Sequence, residues 1–114
     1  MSYTVTPFEV SSSALADPAK AQFIHLYSGI ATRHSDTIDC LFRVNDRPVL
    51  VAISCAAITE LREKDRKPLN DQQLANIAAV VLRRTLEQGY DATLAELYVD
   101  GQRLRALAQE LGYL

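Results

Sequence analysis

Residues 38–54 read Ile38-Asp39-Cys40-Leu41-Phe42-Arg43-Val44, then Asn45-Asp46, then Arg47-Pro48-Val49-Leu50-Val51-Ala52-Ile53-Ser54. Two apolar-alternating runs flank two residues that tolerate left-handed backbone angles, and this predicts a β-hairpin with a two-residue turn. The turn fixes the register: Val44 opposes Arg47, Phe42 opposes Val49, Cys40 opposes Val51 and Ile38 opposes Ile53. Because side chains alternate along a strand, these pairs make one apolar face. The other face receives Leu41 opposite Leu50, with Asp39, Arg43 and Pro48 around them.

Upstream, Ser2 to Val10 alternates Tyr3 and Val5 against Thr4 and Thr6, which predicts an edge strand broken or ended by Pro7. Ser11-Ser12-Ser13 and Asp17-Pro18 carry turn chemistry, so this stretch is a loop or a single helical turn. Gln22 to Tyr27 reads as a strand with Phe23, His25 and Tyr27 on one side and Ile24 and Leu26 on the other. Gly29 ends it. Ile30 to Asp36, with Thr32, Arg33, His34 and Ser35, is polar and aperiodic and reads as a loop.

Downstream, Ser54 can cap a helix whose Ile58 and Leu61 face the sheet while Glu60, Arg62, Glu63, Lys64 and Asp65 face water. Lys67-Pro68 stops it. Asn70 and Gln73 form a capping box, Leu69 and Leu74 a hydrophobic staple, and the helix they open runs to Gln88, closed by Gly89. Its apolar arc, including Leu74, Ile77, Ala78, Val81, Leu82 and Leu86, is wide enough to touch two surfaces: the sheet, and either another helix or a second subunit. The C-terminal part has two readings. Glu96 to Val99 is a short strand with Asp100 capping a helix from Gly101 to Leu111, or Ala92 to Leu111 is one interrupted helix.

A chain of 114 residues, 48% hydrophobic and 23% charged, fits a single domain over residues 1–114 of the soluble globular kind. A formal net charge of −2 provides no long-range attraction for nucleic acid or an anionic membrane. Cys40 faces Val51 in the hairpin register, and Cys55 lies four residues beyond Val51, too far along the strand for a bridge. Two buried free thiols suit a reducing cytoplasm. The first thirty residues show no signal peptide, and no apolar run approaches the roughly 20 residues of a membrane span. The expected location is therefore cytoplasmic.

The chemistry-bearing residues form no recognised motif. No glycines flank Ser11 to Ser13, as a nucleophile elbow requires, and His25, His34, Cys40 and Cys55 are too dispersed for zinc. The four glycines form no phosphate loop, so no cofactor is expected. Arg62, Lys64, Arg66 and Lys67 are the strongest argument for nucleic acid, but Glu60, Glu63 and Asp65 dilute them, and Asp71, Gln72 and Gln73 open the following helix without a phosphate contact.

The order of strand, turn, Arg47-Pro48-Val49-Leu50-Val51-Ala52-Ile53-Ser54, and a helix beginning Ala56-Ala57-Ile58 resembles a family of small bacterial proteins of unknown function. In that family a hairpin ending in an apolar-Ile-Ser step leads into helices. The likeness covers Asp36 to Gly89, about half the chain. It implies an α+β fold and a bacterial cytosolic setting, and it implies no site residues; Ser2 to Gly29 departs from it.

The expected architecture is α+β: an antiparallel sheet of three to four strands from the N-terminal half, packed on one face by two to three helices. The expected function is not enzymatic. It is an interaction or regulatory module acting on a protein partner or on itself as a homodimer, through the sheet edge or an exposed helix face. Tyr3, Phe8 and Tyr27, with Phe23, are the candidate interface aromatics. The competing reading is a ligand-binding or enzymatic domain in which Arg33 holds an anion and His34 moves a proton.

Overall fold

The structure is a computed structural model that describes residues 5–11, 18–28, 37–89 and 97–114, with residues 27 and 28 described in backbone only. Among the described residues the order is β1 (Phe8–Val10), β2 (Ala19–Ser28), β3 (Thr37–Val44), β4 (Arg47–Ser54), α1 (Cys55–Lys64), α2 (Asp71–Glu87), β5 (Leu97–Val99) and α3 (Gly101–Glu110). The strands form one sheet in the order β1-β2-β3-β4-β5.

The β3–β4 hairpin has the register its sequence predicts, from Val44 opposite Arg47 to Ile38 opposite Ile53. Asn45 and Asp46 sit at φ 49° and 68°. Two successive left-handed residues give the turn whose twist matches the strands, which is why so short a loop closes here. Asn45 also ties the turn to β2. Its Oδ1 accepts from the Lys20 amide at 2.9 Å, and its Nδ2 donates to the Pro18 carbonyl at 3.3 Å.

The sheet departs from the expected all-antiparallel, three- to four-stranded one. Among the described residues it has five strands, and β5 runs parallel to β4, with Leu97 opposite Val51 and Val99 opposite Ile53. A parallel neighbour requires a crossover, and α1 and α2 supply it between β4 and β5. The C-terminal ambiguity resolves as a strand followed by a helix: Asp100 accepts from the Arg103 amide at 2.9 Å and caps α3. The N-terminal strand, expected to be broken or ended by Pro7, begins after it, so Val5 and Thr6 lie outside the sheet.

The predicted alternation of β2 is also corrected. Phe23 pairs with Phe42 but His25 pairs with Leu41, so a bulge inserts Ile24 and reverses the parity of everything after it. Leu26, opposite Cys40, therefore joins Phe23 on the apolar face, while His25 turns away from it.

Both helix starts are as their caps predict. Ser54 Oγ accepts from the Ala57 amide at 3.2 Å, and Asn70 and Gln73 complete the reciprocal capping box of α2. α1 ends through Asp65, and Arg66 follows at φ 56°, a left-handed position usually held by glycine. The wide arc of α2 is used within the chain: Leu74, Ile77, Ala78, Val81, Leu82 and Leu86 are buried, and the helix packs on β1, β2, β4 and α3. The second surface it touches is thus a helix, and its buried arc is not open to a second subunit. α1 and α3 run the same way side by side, with Gly101 against Ala57 at one end and Arg105 reaching Asp65 and Glu60 further along.

The core lies between the helices and one face of the sheet, with Cys40, Phe42, Val51, Ile53, Ile77, Val81 and Leu104 fully buried. Cys40 is buried and free; Cys55, expected buried, is only half-buried at the start of α1.

Candidate interaction surface on the helix-free face of the sheet

Alternation gives β3 and β4 a second face. The helices pack with Cys40, Phe42, Val49, Val51 and Ile53, so Asp39, Leu41, Arg43, Pro48, Leu50 and Ala52 project the other way. Leu41 and Leu50 stand directly opposite one another at the centre and are each half-buried. The two exposed large hydrophobic residues of the described chain flank this centre: Ile24 at 42% exposure in the β2 bulge, and Tyr98 at 50% on β5 opposite Ala52. Arg43, Pro48, Gln22 and His25 complete the row toward the hairpin turn and are exposed. The result is an apolar band with a polar border, a composition typical of contact surfaces.

One end of this face is withdrawn from water. Thr37 and Asp39 are 4% and 1% exposed, and the Thr37 hydroxyl donates to the Asp39 carboxylate at 2.7 Å. On the opposite side of the same strand, burial pushes the Cys40 thiol up to about 12, with the Asp39 and Asp71 carboxylates adding to the effect. Cys40 is therefore a packing residue and not a nucleophile.

At the turn end of the sheet a groove of about 890 Å³ is lined by Phe8, Glu9, Lys20, Gln22, Arg43 and Asp46, among others. It carries two cations and two carboxylates. Arg43, its lining residue on β3, lies roughly 20 Å along the strand from Thr37, at about 3.3 Å per residue.

Tyr3, Arg33 and His34 lie outside the described residues, as does the side chain of Tyr27, whose backbone pairs with Asp39. Phe8 is not an anchor of the helix-free face. It is half-buried against the core, and the Arg83 guanidinium of α2 lies 4.7 Å from its ring centroid. Phe23 is core as well, packed edge-on to Phe42 with centroids 5.4 Å apart. Leu41 and Leu50 were legible from the register alone. Ile24 and Tyr98 were not, because one depends on a bulge and the other on a three-residue strand.

Within the basic segment after Leu61, Arg62, Lys64, Arg66 and Lys67 are all exposed; Lys64 pairs with Glu60 at 3.6 Å, and Asp65 engages Arg105. Among the described residues no group of three or more His, Cys, Asp or Glu side chains could hold a metal ion, and no helix is long and apolar enough to cross a membrane. The chain matches no protein-family model, no curated protein and no solved structure.

Proposed function

We propose that this chain is a non-catalytic interaction module that contacts another polypeptide through the helix-free face of its sheet. The observation that carries the reading is the band Ile24, Leu41, Leu50 and Tyr98: apolar side chains that the core does not use, spread over four strands. Leaving them in water forgoes roughly 25 cal/mol per Å² of apolar area, which a partner recovers on binding. A reducing cytoplasm, supported by the two free thiols, is the proposed location, and a bacterial setting follows the likeness of 36–89.

Affinity purification of the tagged chain against single variants tests the reading. A defined polypeptide, its own or another, is expected to accompany the wild type and Arg62→Glu but to be lost with Leu50→Lys. Loss with Arg62→Glu and retention with Leu50→Lys would transfer the function to the helical side. A second reading, a small-ligand domain, is favoured by the groove beside Lys20 and Arg43. It predicts a rise in melting temperature with phosphate or a small carboxylate that Arg43→Ala removes.

A further inference from the structure

The centre of the apolar band offers a partner side chains and no backbone. Leu41 belongs to a strand paired with β2 on one side and β4 on the other, so its N–H and C=O groups are engaged within the sheet. The band runs across the strands, from Ile24 on β2 through Leu41 and Leu50 to Tyr98 on β5. Three strand spacings of about 4.8 Å make it roughly 14 Å long. The element that lays a row of apolar side chains across a sheet is a helix, and about ten residues of one span that length. The chain's own helices cover the opposite face in this way.

Charge decides what must flank such a helix. The row beside the band on its turn side is Gln22, Arg43 and Pro48, all exposed, and its one charge is positive. The row beyond sets Glu9 opposite Lys20, two charges that offset one another, and Asp46 borders the groove from the turn. Lys64, Arg84 and Arg105 each pair with a carboxylate, whereas among the described residues none lies within ion-pair distance of Arg43. On the band's other flank the charged residue is Asp39, buried and bonded to Thr37. Arg43 is thus an exposed guanidinium one row from the band, with an amide and a proline as cross-strand neighbours, and it can donate two parallel bonds to an incoming carboxylate.

We propose that the helix-free face takes an amphipathic helix of a partner polypeptide, its apolar stripe along Ile24, Leu41, Leu50 and Tyr98 and its acidic flank on Arg43. This rests on the interaction-module reading and gives the partner a chemistry: apolar residues at helical spacing, with Asp or Glu beside that stripe.

Selection from a display library of random peptides of about 16 residues, which leaves room for the helix and its ends, tests it. Binders of the wild type are expected to combine apolar residues at helical spacing with flanking Asp or Glu. They are expected to bind Arg43→Gln about tenfold more weakly and Leu50→Lys not at all. Selection against Arg43→Glu is expected to return Lys or Arg at the flanking positions. An unchanged circular-dichroism melt checks that each variant folds. Binders whose apolar residues alternate as in a strand overturn the helix, and binders indifferent to Arg43 overturn its acidic flank. In both cases loss of binding with Leu50→Lys leaves the interaction-module reading standing. If no peptide is selected the proposal falls, and that reading falls with it only when the tagged chain also retains no polypeptide that Leu50→Lys removes.

Discussion

β3 and β4 have two faces built from alternate residues of the same strands, and the two have opposite fates. On one face Cys40, Phe42, Val51 and Ile53 are fully buried under the helices, and on the other Leu41 and Leu50 are only partly buried, beside an exposed Pro48. The chemistry is similar and the environment is not. A sheet covered on one face needs apolar residues there to fold, and apolar residues on its other face have to be explained by something besides folding.

The contrast is sharpest in stability. Phe42→Ala is expected to cost about 3–5 kcal/mol in urea unfolding, since it empties a closed site, whereas Leu41→Ala one residue away should cost only about 1 kcal/mol. Equal losses would mean that the second face is as much core as the first. Asn45→Ala comes next, at roughly 2 kcal/mol, because it forces alanine into a left-handed position and removes the side-chain bonds to Lys20 and Pro18. The turn sorts residues between the faces, so its weakening should loosen both together, visible as faster amide exchange along β3 and β4 alike.

That turn also shows what could be read in advance. A two-residue loop between alternating runs is a local signal, so register, facing pairs and the Leu41–Leu50 contact all follow from 38–54. The caps at Ser54, Asn70 and Asp100 are equally local. The bulge at Ile24 was hidden because either parity of β2 leaves apolar residues on each side, and only pairing with β3 chooses between them. β5 was legible only as one of two readings of the C-terminal part, because three residues are too few to display a period, and its parallel place beside β4 was hidden because the strand that recruits it is far away in sequence. Half of the candidate surface was therefore legible and half depended on contacts that no local pattern encodes.

A pH experiment separates the faces by another route. Cys40, on the helix side, has its pKa raised from 9.0 to about 12 by burial, so the folded state keeps a proton that the unfolded state releases. Its contribution is complete below pH 9 and is lost as pH rises from about 9 toward about 12. Between pH 9 and about 10.5 the loss should be roughly 1.5 kcal/mol, and Cys40→Val should lack that component of the wild-type decline. An identical decline in the variant would remove Cys40 from the core account. The smallest effect belongs to the open face: Tyr98→Lys should change stability by no more than about 0.5 kcal/mol, since half the side chain is already in water. A loss above about 2 kcal/mol would show that Tyr98 is held in the folded monomer.

The most direct test of the contact surface is site-specific photocrosslinking in the producing cell, with the probe placed in turn at 24, 50 and 98 on the helix-free face and at 62, 83 and 109 on the helices. The account predicts a discrete crosslinked species from the first three positions and none from the last three. Crosslinks from the helical positions alone would contradict it.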